Sequence, residues 1–534
     1  MVAPGSRRAA PAPAPRRTER VPRPRGSFRL PLALLVSALA GLVYAVAFPA
    51  ENVWILAFPG VGGMLLALRG RRFWGGTLVG LVGGLAFWFS LIPWLTLFLG
   101  PLPLLALGTL ESLFMAAGGG LIAVAYRAVP AVWDSRCGRL GLTPLVVAAA
   151  WTAREAVSAT WPYGGFSWGR LAFSQSTSPF APLAAWFGLT AMGFVVAWLV
   201  AFAVAVATEP PSGFGPGVAL LPRVLAVAVA AGLLLAIPPF RPTEAGVLRI
   251  AGVQADTHSG YFDPDNDPST NLDTTIQATA PVLGKGAQLI VWPEGASEGD
   301  PFSDPSIRSR LDGVASLAQA PVLAGAITSR DGRYYNSSLL WTPGVGITGI
   351  YDKVHPVPFA EYVPDRAFWT PFAPDLLKLI GRDYTLGTRS PVLQVDRVKV
   401  GVDICFDIAD DGLIVGSVAD GAQVLVAQTN NADFGTTEEN QQQLAIARLR
   451  AIETGRSVVT VSTVASTTFI APDGATIAAA EPFRRQALLE QVPLAIGTTP
   501  AVAFGVPLGA AIAVLGVALP LAAALLARRG RRRG

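Results

Sequence analysis

Three side chains in this sequence have the types needed to make and break an acyl bond: Glu294 in VWPEG, Lys353 in IYDK and Cys405 in VDICFD. A positioned carboxylate takes a proton, an ammonium holds a developing negative charge, and a thiolate attacks carbonyl carbon. Each residue ends a strand-like apolar run. All three lie in the one long stretch that does not read as membrane-embedded, so whatever the site attacks is expected at a membrane. A lone cysteine also reads as a small buried hydrophobe. Cys405, however, sits between VKVGVDI, a buried-strand run, and FDIADDGLIVGSVADG, a turn leading into a helix. Helix N–H groups at such a junction are expected to stabilise a thiolate. Cys137 lies on the other side of the membrane in the topology below, so the two cysteines cannot pair.

The elements that must position these residues follow from composition. The 534 residues are 51% hydrophobic and 14% charged, with a mean hydropathy of +0.46, too apolar for a soluble chain of this length. Stretches near 30–49, 53–68, 76–99, 102–129, 143–160, 181–207, 218–239 and 501–527 approach the roughly 20 apolar residues a spanning helix needs. The second is short and Gly-rich, and the fifth carries Arg154 and Glu155, which either face the site or pair within the bundle. The expected organisation is a basic tail (1–28), a seven-helix membrane region (29–240), an external domain (241–500), a last membrane helix (501–527) and a basic tail (528–534). The Pro/Arg/Ala-rich first tail reads as disordered. With 30–49 it reads as a retained anchor rather than a cleaved signal, because the basic region is long for a signal peptide and no clean small-x-small site precedes Glu51.

Charge supports that order. Residues 241–500 hold 19 Lys/Arg against 30 Asp/Glu, and the remainder 22 against 6. With eight spans and an inside N-terminus, nearly every basic residue outside 241–500 is cytoplasmic, as the positive-inside rule asks, and the acidic domain lies outside. The basic balance is therefore a topology signal and not a nucleic-acid footprint. His258 and His355 are too few and too scattered for a metal site, and no phosphate-cradling loop is present. No metal and no cofactor are expected.

Within 241–500, strands are predicted at 247–255, 288–293, 321–327, 335–342, 348–352, 391–396, 398–405, 422–429 and 458–470. Helices are predicted at 269–283, 305–318, 410–419 and 437–454. That alternation implies an α/β domain, whose sites form at the carboxyl ends of strands. Glu294, Lys353 and Cys405 occupy three such ends.

The ordered motifs WPEG, YDK followed by HPVPFAEYVP, and DICFD resemble the carbon–nitrogen hydrolase (nitrilase-like) superfamily. With the flanking spans and the loop WPYGGFSWGRLAFSQS, the chain resembles the apolipoprotein N-acyltransferases. The resemblance implies a bundle of about eight membrane helices plus an external α-β-β-α sandwich. It implies Glu294 as general base, Lys353 as oxyanion stabiliser with backbone N–H groups near Phe406, and Cys405 as nucleophile. Glu361 would orient Lys353 or Glu294. Asp407 stands where the family usually has Glu, and NNADFG (430–435), QQQ (441–443) and VSTVAST (461–467) depart from its pattern. The implied reaction moves an acyl chain from a phospholipid, through a Cys405 thioester, to the α-amino group of a diacylglyceryl-cysteine. The alternative is a membrane-tethered amidase. The implied location is the bacterial plasma membrane. Finally, 356–382 is dense in aromatic and aliphatic residues broken by prolines, and Phe359, Trp369 and Phe372 are expected on an arm that admits acyl chains, an ordinary packed loop being the alternative.

Overall fold

The computed structural model describes residues 28–209, 220–257, 268–297 and 299–533. Nearly all of the N-terminal tail, together with His258, lies outside the described residues. The apolar helices fall where hydropathy places them: α1 (Leu30–Ala45), α2 (Ala57–Leu68), α3 (Phe73–Leu91), a short α4 (Thr96–Leu99), α5 (Pro101–Val132), α6 (Thr143–Ser158), α7 (Ala184–Thr208) and α8 (Leu220–Leu235). A long helix, Pro500–Arg533, ends the chain and continues through the second basic tail. Among the described residues, four helical segments are long and apolar enough to cross a membrane: Phe73–Leu91, Pro101–Val132, Ala181–Thr208 and Pro500–Gly530. Leu30–Ala45, Trp54–Leu68 and Leu220–Leu235 are apolar but shorter. Helices α3 and α5 pack through glycines. A Cβ on Gly80 would stand 2.4 Å from the Met115 carbonyl oxygen, so the two backbones touch only because that atom is missing.

Arg154 and Glu155 pair within the bundle. Arg154 Nη2 donates to Glu155 Oε1 at 3.0 Å, and the same oxygen accepts from Trp151 Nε1 and the Leu171 N–H. A buried charge needs such partners.

The remaining residues build two six-stranded sheets. The first holds β1 (Thr243–Gln254), β2 (Leu289–Val291), β3 (Val322–Arg330), β4 (Arg333–Thr342) and β5 (Gly346–Asp352). The second holds β6 (Val392–Val395), β7 (Val398–Ile404), β8 (Val424–Thr429), β9 (Val458–Ser462), β10 (Thr468–Ile470) and β11 (Thr476–Ala479). The first sheet is closed by β12 (Gln486–Ile496), paired antiparallel to β1. β11 and β12 were not predicted, and the 458–470 run is two strands joined by a turn. Strands β1, β2 and β3 are parallel, as are β7, β8 and β9.

Alternation along the central strands sorts their side chains. Val400, Val402 and Ile404 of β7 meet Leu289, Val291 and Leu323 of the other sheet in one apolar layer. Helices α9 (Pro268–Thr279) and α10 (Pro305–Ala318) cover the outer face of the first sheet. Two short helices, α11 (Arg366–Trp369) and α12 (Pro374–Leu379), lie in the predicted arm. Helices α13 (Asp411–Ala419) and α14 (Glu439–Thr454) cover the second sheet, and α15 is the terminal Pro500–Arg533 helix. The order α-β-β-α follows. Ile414, Val418, Ile446 and Leu449 of α13 and α14 belong to the same buried cluster as Met64, Trp88, Leu189 and Val200 of the bundle. The second helix layer therefore sits between its sheet and the apolar helices.

Candidate active site

Three strand ends carry the candidate residues. Glu294 lies just past β2, Lys353 directly follows β5, and Cys405 directly follows β7. The turn holding Glu294 runs close over β3. A Cβ on Gly325 would lie 2.2 Å from the Pro293 carbonyl oxygen, so only glycine admits that path. Gln428, at the end of β8, ties the sheets together beneath the site, donating to the carbonyl oxygens of Trp292 (2.6 Å) and Leu323 (3.2 Å).

Lys353 is 2% exposed. Its Nζ lies 3.1 Å from Glu294 Oε1 and 2.8 Å from Glu361 Oε2. Asn336 of β4 donates from Nδ2 to both carboxylates, at 2.7 Å to Glu294 Oε1 and 2.8 Å to Glu361 Oε1. Each carboxylate also takes one backbone N–H: Asn430 to Glu294 Oε2, and Val357 to Glu361 Oε2. These contacts place Glu361 beside Lys353 and Glu294.

Electrostatics follow from burial. Burial raises the Glu294 carboxyl above its ordinary range, Lys353 pulls it back, and Glu361 pushes it up. Burial alone would lower Lys353, but Glu294 and Glu361 outweigh it and hold the amine protonated. Cys405 is partly exposed. Burial and the Glu294 charge push its thiol well up, and Lys353 opposes them. Thiolate stabilisation by helix N–H groups is thus not what the structure provides. Cys405 opens a five-residue 3-10 turn, Cys405–Ala409, and not the α-helix, which starts at Asp411. At rest Cys405 is a thiol, and the Glu294 charge acts against its ionisation.

Cys405 has φ +53°, a left-handed conformation that costs a non-glycine residue on the order of 1–3 kcal/mol. Asp407 secures it. Its Oδ2 accepts from Tyr351 Oη (2.7 Å) and from the Ile404 N–H (3.3 Å), and its Oδ1 accepts from the His355 N–H (2.9 Å). The Cys405 turn is thereby pinned to the strand end that carries Lys353. Asp, one methylene shorter than Glu, reaches all three donors. Its carboxyl is raised by burial against the pull of Lys353.

Phe406 leaves the site toward the bundle. Its ring stacks on Phe166 (centroids 6.1 Å apart) and Trp168 (6.2 Å), in the loop after α6. Gln442 joins this aromatic cluster to α3. Its Oε1 accepts from Trp94 Nε1 (3.0 Å) and Trp168 Nε1 (2.7 Å), and its Nε2 donates to the Leu91 carbonyl. Arg450, buried on α14, donates to the Ile408 carbonyl, Glu453 and Asp411. Arg170 reaches Asp411 at 2.8 Å, and Glu453 accepts the Leu189 N–H. Asp411 is held well below its ordinary range because Arg170 and Arg450 outweigh its burial.

The arm carries Phe359, Trp369 and Phe372 in one row of ring contacts: Phe359–Trp369 at 5.4 Å and Trp369–Phe372 at 6.1 Å. Phe372 is 71% exposed and Phe368 59%. Tyr163, in the loop after α6, donates from its hydroxyl to Asp365 Oδ2, accepts from Trp369 Nε1 and touches the Phe359 ring. Part of the segment is packed, with Val363, Leu377 and Ile380 forming a small core.

Sequence reasoning missed Asn336, Asn431, Glu439, Gln442 and Gln443. Asn336 had a signal, a polar residue at a buried position of a strand. Asn431 and the two glutamines lie in stretches seen only as departures from a family pattern. Among the described residues no group of His, Cys, Asp and Glu could hold a metal ion.

The carbon-nitrogen hydrolase family matches residues 249–498, and the apolipoprotein N-acyltransferase N-terminal domain matches residues 40–202. An apolipoprotein N-acyltransferase of Mycolicibacterium smegmatis is 31% identical, covering 91% of this chain and 84% of its own. One from Gloeobacter violaceus is 30% identical over 90% of this chain and 91% of its own. Among solved structures, a nitrilase-superfamily amidase of Nesterenkonia AN1 is 18% identical over 47% of this chain and 93% of its own, with a TM-score of 0.37. The chain, at that identity and coverage, belongs to the apolipoprotein N-acyltransferase family.

Proposed function

We propose that this protein transfers an acyl chain from a phospholipid to the α-amino group of a diacylglyceryl-cysteine, with Cys405 as nucleophile, Glu294 as base and Lys353 as oxyanion stabiliser. One observation carries this reading above the others. The buried Lys353 ammonium is paired to Glu294 and Glu361, its charge and that of Glu294 act on the Cys405 thiol, and the residue after that cysteine, Phe406, stacks on the loop after α6.

The chemistry runs in two halves. Glu294 takes the Cys405 proton as the sulfur attacks the ester carbonyl carbon. The carbonyl electrons move to oxygen, where the Lys353 ammonium stabilises them. Collapse breaks the carbon–oxygen bond, and the departing alkoxide takes the proton from Glu294, leaving a thioester and a lysophospholipid. The amine then attacks the thioester carbon, and the carbon–sulfur bond breaks. The proton lost by nitrogen passes by way of Glu294 to the thiolate. Glu361 keeps Lys353 in place, and Asp407 holds the turn carrying Cys405 and Phe406.

Both substrates are lipid-anchored, and confining them with the site in one layer raises their effective concentration. The amidase alternative gains nothing from the bundle. In our reading residues 29–240 and 501–527 form an eight-span bundle, with α6 and the three shorter apolar helices completing the four longer ones. The domain at 241–500 lies outside the plasma membrane, and both tails, 1–28 and 528–534, lie in the cytoplasm. The Phe359–Trp369–Phe372 row, exposed at Phe372 and tied to Tyr163, is the entrance for acyl chains.

The test is direct. Purified protein in detergent receives phospholipid and a diacylglyceryl-cysteine peptide, with Cys405→Ala as control. The peptide is expected to gain the mass of one acyl chain with the wild type alone. Ammonia release from small amides without peptide acylation would reject the reading.

A further inference from the structure

The steps above leave one polar contact of the sulfur unused. Gln443, 4% exposed on α14, has its Nε2 at 3.7 Å from Cys405 Sγ. Which end of that amide faces the sulfur is set by its neighbours. Asn431 Nδ2 donates to Glu439 Oε2 (2.8 Å) and to Gln443 Oε1 (3.0 Å). Its Oδ1 accepts from two hydroxyls on the other side, Thr429 Oγ1 (2.6 Å) and Ser462 Oγ (2.7 Å). An ionised carboxylate only accepts, so Glu439 holds Asn431 in this sense. Gln443, with its oxygen engaged, turns its N–H toward the sulfur. Asn431 and Glu439 are as buried as Gln443, leaving little water to compete for these bonds.

We propose that Gln443 is a further catalytic residue, a neutral N–H donor to the Cys405 sulfur, with Asn431 and Glu439 as the positioning residues that keep its amide turned that way. It rests on the reading of Cys405 as nucleophile. The donor acts in both halves of the reaction. It stabilises the thiolate as Glu294 takes the proton, and again when the amine expels the sulfur. Gln443 keeps both of its hydrogens throughout.

The groups around the sulfur make such a donor useful. Glu294, Glu439 and Glu361 disfavour the thiolate, and Lys353 favours it. Three carboxylates against one ammonium leave the thiolate under-stabilised, and a neutral donor supplies stabilisation without a further countercharge. Burial raises Glu439 to about 7, with Asn431 pulling it down and Glu294 pushing it up. The carboxylate that fixes Asn431 thus gains a proton on mild acidification, and the hold on Gln443 loosens.

The experiment uses the full-length protein in detergent. Iodoacetamide alkylation of Cys405 is followed against pH by mass spectrometry of its peptide, which separates it from Cys137. Gln443→Met keeps the shape and removes the donor. Its alkylation midpoint is expected about one pH unit higher, so labelling below the midpoint slows about tenfold, while the high-pH plateau stays as in the wild type. Asn431→Leu frees the amide and is expected to shift the midpoint the same way by less. Should Gln443→Met lose the plateau through misfolding, Gln443→Glu, of the same shape, is expected to shift the midpoint further upward. An unmoved midpoint in a folded Gln443 variant overturns the inference. If Cys405→Ala abolishes acyl transfer at the same time, the nucleophile reading survives. Transfer retained by Cys405→Ala would sink that reading instead.

Discussion

Replacing Lys353 by Met tests the site at its most loaded point. The ammonium is 2% exposed and stands between Glu294 and Glu361, at 3.1 and 2.8 Å. Methionine fills similar space without charge. Removing one partner of a buried ion pair costs about 3–5 kcal/mol, because the other charge stays buried and uncompensated. The loss should depend on pH. Burial already raises Glu294 in the folded protein, and only Lys353 and hydrogen bonds restrain it. Without Lys353 it rises further. A carboxylate whose folded value exceeds its unfolded value, about 4.3, contributes fully only below that unfolded value. Its contribution is lost as pH rises through the folded value. The variant should therefore be least stable near pH 8 and recover Tm toward pH 5, by more than the wild type does. Thermal unfolding of the full chain in detergent, read by tryptophan fluorescence from pH 5 to 8, measures this. Adding Glu361→Gln removes the second uncompensated charge, and the pair should couple by about 0.5–3 kcal/mol. Acyl transfer should fall about 10²- to 10³-fold for want of the oxyanion partner. A Tm loss independent of pH, or strict additivity with Glu361→Gln, would refute the reasoning.

Two further outcomes are expected. Asp407→Asn keeps the size but replaces one acceptor oxygen with a donor, against the Tyr351 hydroxyl and the Ile404 N–H or against the His355 N–H. It should cost about 1–3 kcal/mol and slow acylation more than it lowers Tm, since the strained Cys405 turn loses its anchor; unchanged turnover would contradict that role. Trp369→Ser with Phe372→Ser should raise the phospholipid KM several-fold and cost about 1 kcal/mol of unfolding free energy, because Phe372 is largely exposed and Trp369 half-buried; an unchanged KM would remove the arm from the lipid path.

Much of the domain is legible in sequence because its central strands are continuous apolar runs bounded by Gly and Pro. VKVGVDI and LIV leave no other reading, and the three reactive residues directly follow or closely trail such runs. β12 was missed because QALLEQVPLAI mixes charge, amide and proline in one strand. It is a strand only because β1 lies beside it with a free edge. The site beyond Glu294, Lys353, Glu361 and Cys405 is illegible for a different reason. Gln443 and Asn431 acquire meaning from what the fold brings near them, Cys405 38 residues before Gln443 and Ser462 31 residues after Asn431. No local periodicity encodes those meetings. Gln442 and Gln443 are adjacent glutamines whose side chains serve opposite parts of the protein, one the bundle and one the sulfur.

The ion cluster of Arg170, Asp411, Arg450 and Glu453 has a bearing on how this architecture can be handled and how it can change. It lies between the Cys405–Ala409 turn and the loops of the bundle, with Arg450 wholly buried. Cut free of the bundle, the 241–500 segment would present to water a guanidinium built for enclosure and an apolar helix layer that normally faces Leu189 and its neighbours. The hydrolase half is therefore no longer a removable module. Domain shuffling that trades one bundle for another would have to carry the Arg170 loop with it, and substitutions at these four positions should be tolerated in sets rather than singly.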